Sequence, residues 1–195
     1  MARMYPVFLT LQGKAALVVG GGAVALRKVQ ALLECGARVR VVALSARDEI
    51  RALAREGRLE LHLRAFAGGD CRGAFLVFAA TGDSAVNAAV FREAESLGLP
   101  VNSVDDPANC NFFVPAVAQQ GDLLVAVNTQ GQAPLLAQRV RDYVQRLLPE
   151  GVGQLVADMA ELRGRLKREV PDAAERARRL REWLQEQLRA RNLPL

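Results

Sequence analysis

The stretch "VVGGGAVALRKVQALLECGARVRVVA", from Val18 to Ala43, decides how the rest of the chain is read. A short apolar run ends in three consecutive glycines, a segment with helical spacing follows, and a second apolar run closes the stretch. Three residues without side chains stand together at a strand end where the backbone must turn sharply or let another group come close. Gly20, Gly22 and Ala25 fit the spacing G-x-G-x-x-A. The first small residue permits the strand-to-helix turn and the second lets the backbone approach a pyrophosphate. The third lets helix and strand pack closely, while the helix N-terminus offers free N–H groups to the anion. Between a strand and a helix, the pattern points to a dinucleotide held by Gly20, Gly21 and Gly22.

Working outward, apolar runs at about 15–19, 39–43, 59–63, 74–80 and 100–104 alternate with helical spacing at 24–35, 46–55 and 84–97. Such alternation requires right-handed crossovers and a parallel sheet covered on both faces, so the fold class is α/β with a Rossmann-type sheet. After Asn111 the rhythm changes. Two short apolar runs flank Gln120-Gly121-Asp122, the mark of a hairpin. A helix is expected over 134–148, with Pro134 in its first turn, then two more over 152–168 and 172–191, divided at Pro171. Ala177, Leu180, Leu184 and Leu188 give the last helix one apolar side, to be buried against its own chain or a second subunit.

At 195 residues the chain can build one substantial core, or a core domain with a smaller attachment. With 51% hydrophobic and 24% charged residues it is globular, and its few aromatics leave the core to Val, Leu and Ala. The N-terminal apolar stretch is too short and interrupted for a signal peptide, and no apolar run reaches the length of about 18 that a membrane helix needs. A cytoplasmic protein without a membrane partner is expected. Cys35, Cys71 and Cys110 are widely spaced and form no C-x-x-C pair, which argues against a disulfide framework or structural zinc. His62, the only histidine, alternates with Leu61 and Leu63 and reads as a structural or surface residue, so no histidine triad or histidine-rich metal site is expected. The net charge of +5 rests almost wholly on arginine, much of it near the C-terminus. It marks either a solvated face or attraction for a polyanion. Without interleaved aromatics or a recognisable motif, a small polycarboxylate suits it better than nucleic acid.

The acid expected about 20 residues beyond the glycines is absent; the second strand runs out in Val42-Ala43-Leu44-Ser45. Ribose contacts then fall to backbone groups or the Ser45 hydroxyl, and nearby Arg47 suggests a 2′-phosphate partner, so these residues leave NAD and NADP open. Thr81 and Gly82, at the end of the fourth strand, mark a second cofactor edge. The fifth strand ends in Asp105-Asp106-Pro107. In an open parallel sheet, ligands bind beyond the carboxyl ends of the strands. Asp before Pro is also ordinary turn chemistry. Two adjacent carboxylates near an apolar pocket would raise one another's pKa toward the range useful for proton transfer.

Three ordered motifs, "LTLQGKAALVVGGGAVALRK", "VNSVDDPANCNFFVPAV" and "GDLLVAVNTQGQAPLLAQRVR", together resemble precorrin-2 dehydrogenase, the family of the siroheme pathway that also forms the N-terminal half of siroheme synthases. The resemblance covers essentially the whole chain. It implies a Rossmann domain over 1–112, a dimerisation segment over 113–149 and a small helical domain over 150–195, in a homodimer of interlocked subunits. It further implies oxidation of precorrin-2 to sirohydrochlorin with NAD as hydride acceptor, some members also inserting iron. With no methyltransferase half following, a stand-alone form is expected. Carried over by position, Asp105 is the catalytic residue, and Ala23, Val24, Leu44 and Ser45 contact the cofactor. Asp106, Asn102, Thr129 and Arg139 are substrate candidates. The family's S-T/S-G-G-x-S-P stretch departs here at Asn128, Gln130 and Ala133, leaving Thr129 as the surviving hydroxyl. The substrate's eight carboxylates call for basic groups, for which Arg27, Lys28, Arg139 and Arg141 are available. Asp105 would accept a proton or orient the substrate, and the same carboxylate could serve iron insertion. A non-enzymatic alternative is a nucleotide-sensing module whose basic C-terminal helices bind nucleic acid or a partner; an acidic corner at the strand ends has no use in such a sensor.

Overall fold

The computed structural model describes residues 4–193; the outermost ends of the expected 1–112 and 150–195 ranges lie outside the described residues. The chain divides into two compact units, Met1–Phe113 and Val114–Leu195.

In the first unit, β1 (Ala15–Val19), α1 (Ala23–Glu34), β2 (Arg38–Ala43), α2 (Asp48–Arg55) and β3 (Leu59–Leu63) follow one another, then β4 (Leu76–Ala79), α3 (Ser84–Ser96) and β5 (Val101–Ser103). The five strands are parallel in the order β3-β2-β1-β4-β5, so the winding reverses between β1 and β4. Apolar residues fill both faces of the central strands because both faces are covered. On one side Ala16, Val18, Val41 and Phe78 pack with Ala25 and Val29 of α1 and Ile50 of α2. On the other, Leu17, Val19, Val77 and Val101 pack with Val90 and Ala94 of α3. The core is built from Val, Leu and Ala, as the composition predicts.

Two elements are shorter than their apolar runs. β4 spans only 76–79 of the expected 74–80, because Ala74 closes a turn by donating to the Cys71 carbonyl at 3.2 Å. Thr81 and Gly82 therefore lie in the loop beyond the strand. β5 pairs with β4 over three residues and then turns into a short 3₁₀ segment, Pro107–Asn109, that periodicity did not anticipate.

The second unit holds the antiparallel hairpin of β6 (Ala116–Gln120) and β7 (Leu123–Val127), followed by α4 (Pro134–Leu147), α5 (Val152–Glu169) and α6 (Ala173–Ala190). Gly121 turns the hairpin at φ +57°, and a Cβ on Gly153 would come within 2.6 Å of the Gln120 carbonyl oxygen, so the start of α5 lies against that turn. The Asp172 side chain caps α6, accepting from Ala174 and Glu175. The expected apolar side of α6, Ala177, Leu180, Leu184 and Leu188, is half-buried, and α6 packs with α5. Among the described residues no helix is long and apolar enough to cross a membrane.

Candidate active site

Each of the three glycines meets a different demand. Gly20 has φ +126°, and a Cβ there would lie 2.3 Å from the Ala80 carbonyl oxygen. A Cβ on Gly21 would lie 2.0 Å from the Ser45 carbonyl oxygen. These two are required by the protein's own backbone, where the loops after β1, β2 and β4 converge. The crossing is tied by Gly20 N–H donating to Val42 at 2.9 Å and Arg47 N–H donating to Gly21 at 2.9 Å. Gly22 differs: its φ is −82°, and no protein atom lies within 4 Å of its missing Cβ. Its smallness answers to no contact among the described residues and leaves open space in front of α1.

α1 begins at this point. Gly22 supplies no side-chain cap and the first turn has no acid. The first ordered intrahelical bond is Leu26 N–H to Gly22 at 3.0 Å, so the N–H groups of Ala23, Val24 and Ala25 precede the helical ladder. The other helices of this unit are closed to anions: Asp83 caps α3, and Asp48 and Glu49 occupy the first turn of α2. Among the described helices of this unit, α1 alone combines an open start with an adjacent glycine cradle, an arrangement suited to a pyrophosphate.

Beyond β2, Leu44 is 80% exposed, an apolar side chain left in solvent at the place where a planar base could cover it. Ser45 is exposed beside it. Arg47, the candidate for a 2′-phosphate, holds Glu49 through two bonds of 3.0 and 3.2 Å. Beyond β4, Asn87 was not singled out by the sequence reading, yet it organises the loop. It is 6% exposed, accepts from the Thr81 hydroxyl at 2.7 Å and the Thr81 N–H at 3.2 Å, and donates to the Thr81 carbonyl at 3.1 Å. Its signal was present: an amide on the core side of α3, in register with Val90 and Ala94.

The acidic corner separates its two carboxylates. Asp106 accepts from the Asn109 amide at 2.6 Å and is thus part of the turn. Asp105 is exposed and adopts φ +59°, a left-handed conformation that costs a non-glycine residue energy and is found disproportionately at functional sites. Cys110 fixes the turn that imposes this: its thiol accepts from Ser103 N–H at 3.2 Å and lies 3.2 and 3.3 Å from the Ser103 and Asp106 carbonyls. Burial pushes the Cys110 thiol up from its ordinary pKa, keeping it a donor. Asn102 turns inward, donating to the Phe112 carbonyl at 3.1 Å, and so acts as a brace. The Ser103 hydroxyl beside it is buried without a partner.

A family model described as "Putative NAD(P)-binding" matches residues 7–116. The solved structure of SirC, precorrin-2 dehydrogenase, superposes with a TM-score of 0.79 at 30% identity, covering 92% of this chain and 88% of that one. This chain belongs to the precorrin-2 dehydrogenase family. The siroheme synthases of Pseudomonas paraeruginosa and Pseudomonas aeruginosa are 44% identical over 171 residues, which is 88% of this chain. Siroheme synthase 1 of Serratia proteamaculans is 41% identical over 173 residues. The chain spans 37% of the length of those Pseudomonas relatives and 36% of the Serratia one.

Against the precorrin-2 dehydrogenase pattern, the departures in the second unit become intelligible. Gln130, where the family motif has its first glycine, sits at φ +57°, followed by Gly131 at φ +75°. The glycine position is a left-handed one, and here a glutamine occupies it under strain. Asn128 offsets the strain by accepting from Gln130 N–H at 2.6 Å, and the Thr129 hydroxyl accepts from Ala133 N–H at 3.1 Å, ahead of α4. The Thr129 hydroxyl is used there as an acceptor. Arg139 is exposed on α4, while Arg141 is spent on Asp142 at 2.7 Å. Among the remaining expectations, His62 bonds Glu60 at 2.6 Å on β3, a surface pairing, and Arg27 is exposed on α1.

Proposed function

We propose that this protein is an NAD-dependent precorrin-2 dehydrogenase that takes a hydride and a proton from precorrin-2 to give sirohydrochlorin. The observation that carries the reading is Asp105: a carboxylate held exposed, in a left-handed backbone, on the strand-end side of a sheet whose glycine loop fits a dinucleotide. When bound, NAD supplies the hydride acceptor. The chain's own residues do the rest. Gly22 and the N–H groups of Ala23 and Val24 would hold the pyrophosphate, Leu44 and Ser45 would serve the adenosine half, and the loop of Thr81 and Gly82 the other half. Asp105 accepts the proton and passes it to solvent. Asn102 and Asp106 shape the corner; in the second unit, taken by itself, Thr129 and Arg139 are the candidates for polar contact with a substrate.

NAD is favoured over NADP because Arg47 is neutralised by Glu49, whose own pKa the Arg47 hydrogen bond lowers, so a 2′-phosphate there would meet a carboxylate. A homodimer is favoured by the exposed apolar face of α4, where Leu135 is 77% and Leu147 59% exposed, and we place the dimerisation segment at 113–149 and a helical domain at 150–195. A cytoplasmic setting suits thiols used as hydrogen-bonding groups, as at Cys110.

The test is anaerobic turnover of precorrin-2 with NAD and NADP in parallel, then with ferrous iron added to read metal insertion. We expect NADH formation, and a fall in kcat of about 100-fold or more for Asp105→Asn at unchanged melting temperature. Full activity in that variant ends the assignment of Asp105.

A further inference from the structure

Lys28 is a cation that rests on an aromatic ring. It stands on the second turn of α1, four residues after Val24, and helical side chains lean toward the helix N-terminus, which here means toward the strand ends. Its ammonium lies 5.3 Å from the centre of the Phe78 ring. That ring is buried and held edge-to-face by Phe112 at 5.4 Å. Among the described residues no carboxylate forms an ion pair with Lys28. Burial lowers its pKa from the ordinary lysine value and Arg27 adds to the effect, while Cys110, the thiol that anchors the acidic corner, is near enough to oppose it. A half-buried ammonium resting on an aromatic face is poorly solvated, and an incoming anion relieves that cost.

We propose that Lys28 binds a carboxylate of the tetrapyrrole and thereby sets which edge of the macrocycle faces Asp105. The proposal rests on the dehydrogenase reading above. A substrate carboxylate suits the position better than the cofactor's pyrophosphate. The pyrophosphate has the open start of α1, roughly 7 Å away along the helix axis at 1.5 Å per residue. Lys28 instead lies over Phe78 of β4, close enough to feel Cys110, the thiol that anchors the Asp105 turn. Of the basic candidates in this unit, Arg27 is exposed to solvent, whereas Lys28 is held in place by the ring beneath it.

The test compares wild type, Lys28→Met and Lys28→Arg in anaerobic kinetics with precorrin-2, alongside NAD binding by calorimetry. Methionine keeps the aliphatic packing over Phe78, so the melting temperature should hold. We expect KM for precorrin-2 to rise about tenfold or more in Lys28→Met, the loss of one charge-assisted contact. NAD affinity should be unchanged, and Lys28→Arg should recover most of the loss. An unchanged KM, or a weakening of NAD in its place, overturns the proposal. Absorbance titration with sirohydrochlorin separates the two readings. If wild type binds it without oxidising precorrin-2, the dehydrogenase reading falls, and Lys28 still stands or falls by whether Lys28→Met weakens that binding. If wild type binds no tetrapyrrole, both fall.

Discussion

In the first unit Leu17, Val18, Val41, Ile50, Val77 and Val101 are without solvent contact, on the two faces of one sheet. In the second, the buried apolar residues are few, Ala118, Ala137, Val152, Leu155 and Leu166 chief among them, while Leu135, Leu136, Tyr143 and Leu147 are more than half exposed along α4. The first unit builds the larger core, leaves Tyr5, Val7 and Phe8 exposed ahead of β1, and keeps its irregular features, the glycine loop and the left-handed Asp105, at the strand ends. The second has a smaller core and gathers exposed apolar residues along α4. A sheet covered on both faces can hold a ligand in fixed geometry, whereas an exposed apolar helix face is the kind of surface that marks an interaction site.

The largest expected effect lies in the first unit. Gly20→Ala forces a side chain onto the Ala80 carbonyl in a backbone region that L residues rarely adopt. It should destabilise by on the order of 4 kcal/mol or fail to fold, as read by denaturant unfolding. Gly22→Ala meets no protein atom and should shift stability by less than about 1 kcal/mol while weakening NAD binding. Equal destabilisation by the two would undo the distinction between glycines the fold needs and the one a ligand needs.

The second unit is probed by Leu136→Glu, which places a charge on the exposed α4 face. Sedimentation equilibrium should show dimer converting to monomer, and a monomeric wild type would remove the contrast at its root. A smaller effect is expected at Gln130. Gln130→Gly relieves the left-handed strain and should stabilise by roughly 0.5 kcal/mol net of backbone entropy, as a rise in melting temperature. The smallest is electrostatic. Hydrogen bonds from Arg178 and Arg179 depress the pKa of Glu175 from 4.5 to about 2. The stabilisation is therefore present above 4.5 and lost as pH falls through about 2. Acid titration of helical circular dichroism should show a component in that window that Glu175→Gln abolishes; its persistence in the variant would assign it elsewhere.

How far the sequence could be read differs between the same two regions. Alternating apolar runs placed all five strands and three helices of the first unit, because strand and helix periods are local properties of the chain. The expected pairing of carboxylates at 105 and 106 was resolved differently, with Asp106 bonded to Asn109 and Asp105 left exposed, since the turn depends on a thiol from residue 110 and periodicity carries no information about such a clasp. Asn87 was passed over for the same reason: its bonds run to a loop on the far side of Asp83.

By itself the sequence determined the α/β alternation, the glycine turn, the hairpin and the three C-terminal helices, all of which follow from spacing within a few residues. Tertiary structure alone decided which glycine meets no protein atom, which aspartate is left exposed in a left-handed backbone and that Lys28 rests over Phe78 with no ion-pair partner among the described residues. Those outcomes depend on atoms from distant segments meeting within a few ångströms, and such distances are set only when the sheet closes.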